Sequence, residues 1–183
     1  AMNTDSLVAG RPIREKIEAN NRIDSAFDSI TYGKGGHVVA MIAGFMGDSR
    51  FRDGVRRYMA RHALGNATST DFFAALAEAA GDPGIVPALR SFTDQQGVPL
   101  LTFARKGKGY TVRQSRYARL GVAAPAARWL VPMCLRRGAQ RQCSLLAEES
   151  ANIALGGKGP LVPNAGGTGY YRFDLPRKKK KKL

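Results

Sequence analysis

The chain has 183 residues, 44% of them hydrophobic, which is the composition of a folded globular protein and excludes a disordered one. No apolar run approaches the roughly 20 residues of a membrane span, and Ala1-Met2-Asn3-Thr4-Asp5-Ser6 lacks the basic-then-apolar pattern of a signal peptide, so the compartment stays open. The charge of +15 is uneven, with six positive charges in Arg177 to Lys182. That tail, 177–183, is expected to be disordered, because consecutive lysines repel one another. The remaining basic residues, such as Arg50, Arg52 and Arg56 or Arg105, Lys106 and Lys108, would attract polyanions without reading their sequence.

Residues 1–26 read as irregular, with Arg11 held extended by Pro12. A helix is predicted from about Ser29–Tyr32 to Met46, closed by Gly47. Ser49 reads as the cap of a second helix with Phe51, Val55, Tyr58, Met59 and His62 on one face. Ser69 or Thr70 would cap a third through Phe72, Phe73, Leu76 and Ala80, stopped by Gly81-Asp82-Pro83. A fourth spans about Ile85 to Phe92. The pattern changes near Val98-Pro99. Strands are predicted at 100–104 and 110–115 around a glycine-rich turn, at 129–134 and 142–146, and at 161–164 and 169–175. Pro132 cannot donate to a ladder and suggests an edge or a bulge. The fold class is therefore α+β, with helices to about residue 97 and a small β-sandwich over 98–176.

If Gly138-Ala139 forms a two-residue turn, Arg137 pairs with Gln140 and Cys134 falls opposite Cys143. A cross-strand disulfide is then geometrically allowed. The favoured reading is nonetheless two reduced cysteines packed as small hydrophobes. Neither cysteine has a histidine nearby, so they do not make a zinc site. His37 and His62 are the only histidines and neither has a second at helical spacing, so no residue of the chain is assigned as a metal ligand. Glu148-Glu149 reads as a solvated turn. Gly33, Gly35 and Gly36 do not make a phosphate loop, because G-x-x-x-x-G-K-[ST] is absent.

One run stands apart: Phe27-Asp28-Ser29-Ile30-Thr31-Tyr32-Gly33-Lys34-Gly35. It resembles the F-D-x-I-x-Y-x-K-G signature of zinc aminopeptidases of the aminopeptidase N and leukotriene hydrolase type. Further along, Phe51-Arg52-Asp53-Gly54-Val55 with Tyr58 resembles the family's F-R-x-G-x-x-x-Y helix. Asn66-Ala67-Thr68 with Asp71-Phe72 resembles its N-A-T-x-x-D helix start. Gln95-Gln96-Gly97-Val98-Pro99 resembles Q-x-G-x-P, and Gly169-Tyr170-Tyr171-Arg172 resembles G-Y-Y-R. Each is short, but they occur in the family's order and spacing. The H-E-x-x-H zinc motif is absent, and the run of lysines departs from the family pattern.

The resemblance implies that residues 1–97 are the C-terminal helical lobe of a thermolysin-like catalytic domain and that 98–176 form an Ig-like β-sandwich. It implies a fragment of an enzyme that removes N-terminal residues from peptides, with zinc bound in the complete parent and none by this chain. Tyr32 is the catalytic residue it assigns: a phenol, neutral at pH 7, donating a hydrogen bond to the oxyanion of the tetrahedral intermediate. Lys34 is read as a helix-surface charge rather than a substrate contact. The expected partners are an upstream zinc-binding half, peptide substrate in the parent, and polyanions on the basic tail. The chain alone is expected to be inactive. Two rival readings remain, a non-catalytic module with a polyanion-binding surface and a pseudoenzyme scaffold.

Overall fold

The computed structural model describes residues 1–14 and 28–176. The expectations for Phe27 and for the basic tail lie outside them. Among the described residues, five helices are followed by seven strands: α1 (Met2–Asp5), α2 (Gly35–Met46), α3 (Asp48–Arg61), α4 (Ser69–Ala80), α5 (Ile85–Thr93), then β1 (Pro99–Lys106), β2 (Gly109–Arg116), β3 (Val131–Arg137), β4 (Gln140–Leu146), β5 (Ser150–Ile153), β6 (Leu161–Val162) and β7 (Arg172–Asp174). A π-helical turn over Ile30–Lys34 leads into α2. The fold is α+β, as the sequence predicts.

Gly47, at φ 85°, separates α2 from α3 and is the N-cap of α3, two residues before the predicted cap Ser49. The N-cap of α4 is Thr68 rather than Ser69 or Thr70. It forms a capping box: the Thr68 N–H and hydroxyl donate to Asp71 Oδ2 at 2.8 and 2.7 Å, and Asp71 N–H returns to Thr68 Oγ1 at 3.3 Å. The N-A-T-x-x-D run is thus a helix start in which two otherwise orphan donors are satisfied reciprocally. Gly81, in the left-handed region at φ 64°, ends α4. Helices α3 and α4 cross closely at Gly54, where a Cβ would stand 2.8 Å from Leu76 Cδ2 and 3.1 Å from its Cα. Arg57 and Arg61 both reach Glu78 across the same seam. Met59, grouped by the sequence with Phe51 and Val55 on one face, is exposed.

The strands form two sheets, ordered β5-β2-β1-β7 and β4-β3-β6. Strands β1 and β2 pair through Lys106↔Gly109, and β7 adds to β1 in parallel. Strand β5 pairs with β2 and was not predicted. Trp129, expected in a strand, precedes β3; it is fully buried and held by Gln114, whose Oε1 accepts from Trp129 N–H at 3.0 Å and whose Nε2 donates to Trp129 O at 3.0 Å. Pro132 lies on the middle strand of its sheet, but β6 pairs only with Arg136 and Arg137. Opposite Leu145, Pro132 therefore has β4 on one side and no described strand on the other, which suits a residue without an N–H. One hydrophobic cluster runs from Met41, Leu76 and Phe92 on the helices to Leu101, Val112, Trp129, Met133 and Leu146 on both sheets.

The β3–β4 register is the predicted one, with Arg137↔Gln140 and Cys134↔Cys143. The favoured reading of two reduced thiols is overturned: the cysteines are bonded. Directly opposite positions on an antiparallel pair bring the two Cβ atoms within bonding reach. Intact mass measured without reductant is expected to be lower by two hydrogens than after reduction. Gly54→Ala is expected to destabilise the chain by about 1–3 kcal/mol in urea unfolding, because Leu76 and its backbone leave no room for a methyl group.

Candidate active-site face

Asp28 organises the start of the helix that carries Tyr32. Its Oδ1 accepts from the N–H groups of Ile30 and Thr31 at 2.8 and 2.9 Å, and its backbone carbonyl accepts from Tyr32 N–H at 3.1 Å. Arg11 clamps the same carboxylate, Nε to Oδ2 at 3.2 Å and Nη2 to Oδ1 at 2.8 Å, and also reaches Thr31 Oγ1 at 3.1 Å. The Thr31 backbone bond foremost, then those from Ile30 and Arg11, hold the Asp28 carboxyl below its ordinary value. The Arg-Pro-Ile segment and the aspartate of the Tyr signature therefore form one device that fixes a helix entry.

Tyr32 stands on this turn with 66% of its surface exposed. With Gly33, Gly36, His37 and Ala40 it lines a shallow hollow of about 280 Å³. Among the described residues, nothing lies within 4 Å of where a Cβ on Gly35 or Gly36 would sit. A wider hollow of about 620 Å³ lies on the strand half, lined by Gln114, Ser115, Arg116 and Arg128 among others, and it contains no residue of the Tyr signature.

Lys34 is not a surface charge. It and Asp5 are both 0% exposed. Lys34 Nζ lies 3.2 and 3.1 Å from Asp5 Oδ1 and Oδ2 and donates to Gln95 O at 2.9 Å. Asp5 Oδ1 also accepts from Gly97 N–H at 2.9 Å, and Oδ2 from the Tyr170 hydroxyl at 3.2 Å. Burial pushes the Lys34 ammonium down, opposed by the charge of Asp5 and its hydrogen bond. Burial, then the Asp5 charge, push the Tyr170 phenol up, so it stays a neutral donor. Sequence reasoning missed Asp5 and Tyr170. The available signal was that Lys34, Gln95, Gly97 and Tyr170 all fall inside the quoted motifs.

The other candidates fall elsewhere. His62 packs 5.4 Å from the ring of Tyr58 on α3, whereas His37 lies on α2. Glu148 and Glu149 are exposed as expected and face Arg128 and Arg113 at 3.8 and 2.8 Å. Among the described residues no group of three His, Cys, Asp or Glu side chains could hold a metal ion. Among them, too, no helix is long and apolar enough to cross a membrane.

Comparison with known proteins agrees with the motifs. Residues 1–95 match the peptidase family M1 domain. Aminopeptidase M1-D of Oryza sativa subsp. japonica is 33% identical over 135 residues, covering 74% of this chain and 15% of that protein. Puromycin-sensitive aminopeptidase of Caenorhabditis elegans is 30% identical over 185 residues, 94% of this chain and 19% of that protein. Probable aminopeptidase 2 of Sulfurisphaera tokodaii is 29% identical over 173 residues, 94% and 22% respectively. The chain belongs to the M1 family of zinc aminopeptidases, of the aminopeptidase N type. It spans about a fifth or less of the length of these relatives.

The buried node generates a stability prediction. Lys34→Met leaves the Asp5 carboxylate buried without its counter-charge, and breaking such a pair typically costs about 3–5 kcal/mol. Urea unfolding followed through the single, buried Trp129 is expected to show a loss of that order.

Proposed function

We propose that this chain is a segment of a metallo-aminopeptidase that removes N-terminal residues from peptides, and that Tyr32 is its catalytic residue. In this reading residues 1–97 are the C-terminal helical lobe of a thermolysin-like catalytic domain, and 98–176 are an Ig-like β-sandwich. Supporting the division, the last helix ends at Thr93 and the first strand opens at Pro99, with two sheets sharing one core. The observation that carries the reading is Tyr32 itself: a neutral donor, exposed on an open face, on a turn anchored on one side by Asp28 and on the other by the buried Lys34.

The described residues do not fit a zinc site, so the zinc that the family uses is assigned to residues outside them, and no step through it is drawn from this chain. What Tyr32 supplies is an O–H aimed at the oxygen of the scissile carbonyl. As that carbon becomes tetrahedral the oxygen gains negative charge, and a donor already in place stabilises it without reorganisation. The face that carries Tyr32 is where the partner half and the peptide would meet. The chain alone is proposed to be inactive.

In the complete enzyme Tyr32→Phe is expected to lower kcat about 100- to 1,000-fold and leave the zinc content unchanged. Steady-state kinetics with a chromogenic aminoacyl substrate, alongside elemental analysis, checks both. Turnover near that of the unsubstituted enzyme would remove Tyr32 from the reaction.

A further inference from the structure

His37 belongs to none of the motif positions and has no part in the mechanism above, yet it shares the hollow of Tyr32. Its ring is held in one orientation. Nδ1 lies at hydrogen-bond distance from Gly33 O, one turn back on the same helix. A carbonyl oxygen can only accept, so Nδ1 is the protonated nitrogen of this contact, and in the neutral ring Nε2 is the acceptor. The ring also lies against Tyr170, centroids 6.0 Å apart and tilted by 53°. That tyrosine is buried and tied to Asp5, so it is a rigid backing. Held through Nδ1 and lying beside Tyr170, the imidazole is exposed. Nε2 has no hydrogen-bond partner among the described residues.

A ring nitrogen that can accept, beside a phenol that can donate, suits a ligand group carrying a hydrogen. We infer that His37 is a specificity-determining residue of the Tyr32 site, and that its Nε2 accepts a hydrogen bond from a neutral donor of the bound peptide, a backbone N–H or a hydroxyl. The inference rests on the aminopeptidase reading above. It assigns His37 to holding the substrate, not to the transition state: the bond is made on binding and persists, so it contributes to affinity and not to turnover.

The test uses the complete enzyme and two substitutions. His37→Phe keeps a flat ring against Tyr170 and removes both nitrogens. His37→Gln restores an acceptor oxygen. For His37→Phe, KM for a dipeptide substrate is expected to rise about 3- to 10-fold, the range of one ordinary hydrogen bond. Calorimetric affinity for a non-cleaved peptide analogue is expected to fall by the same factor, with kcat within twofold of the unsubstituted value. His37→Gln is expected to recover part of both losses. Unchanged KM and unchanged analogue affinity in His37→Phe would overturn the inference, and so would a fall in kcat at constant KM. Equal losses in the Phe and Gln variants would also overturn it, since they would mean that the ring and not its acceptor matters. Failure of the aminopeptidase reading is distinguishable: the unsubstituted enzyme would then neither cleave the peptide nor bind the analogue, and the inference would fall with it.

Discussion

The buried Lys34–Asp5 pair is the constraint on which the rest of this structure depends. Taking two such charges out of water costs several kcal/mol for each ion, and their mutual attraction offsets this only if the remaining donors and acceptors are satisfied. Here they are: the carboxylate takes the ammonium, a backbone N–H and a phenol, and the ammonium takes a backbone carbonyl as well. The partners come from residues 5, 34, 95, 97 and 170. A single polar cluster therefore ties α1, the helix entry, the connection into β1 and the segment before β7 into one arrangement. Gly97 shows how tight that is: it sits at φ 103°, and a Cβ there would meet Arg116 Nε at 2.9 Å. Burial first, and Arg116 to a lesser degree, oppose the Lys34 charge, and Asp5 offsets them.

The same logic runs through the other short motifs, each of which sits at a seam. Thr68 and Asp71 close a helix start, Gly54 lets α3 and α4 approach, and Gln95 bridges Ser91 O and Arg128 O through its side-chain amide. Arg172 stacks over Tyr117, 4.4 Å from the ring centroid, and reaches Asn3 at 2.8 Å. Tyr171 donates to Pro163 O at 2.8 Å. Apolar core positions exchange for one another at modest cost if volume is kept. A residue that satisfies a buried donor or allows a backbone crossing has few substitutes.

What the sequence makes legible follows from the range of the interactions involved. Helices α2 to α5 could be read because glycines and caps act locally, and the β3–β4 register because a two-residue turn dictates every pair after it. The bonded cysteines were within reach of that register, but only the geometry decides between contact and bond. Helix α1 is four residues long, too short to leave a period. Strand β5 follows two glutamates that read as a turn and shows only in its pairing with β2. Lys34 was illegible for a deeper reason. Between glycines on an amphipathic helix a lysine looks like any solvated charge, and its partner lies 29 positions earlier.

Tyr32 and Lys34 are two residues apart, so on any helical turn their side chains leave in nearly opposite directions. One is fully buried and the other two-thirds exposed. Lys34 can reach Asp5 in only one rotation of the helix about its axis, and that rotation sends Tyr32 outward. Asp28 and Arg11 then fix the entry from the other side. A π-helical turn at this point adds width where the two demands meet, in keeping with the frequent placement of such turns at functional sites. The ammonium thus acts at a distance as a positioning group. It touches nothing on the open face, but it sets the phase of the helix, and the phase sets where the phenol points. A motif spaced Y-x-K places one side chain in the core and the other on the surface from a single turn.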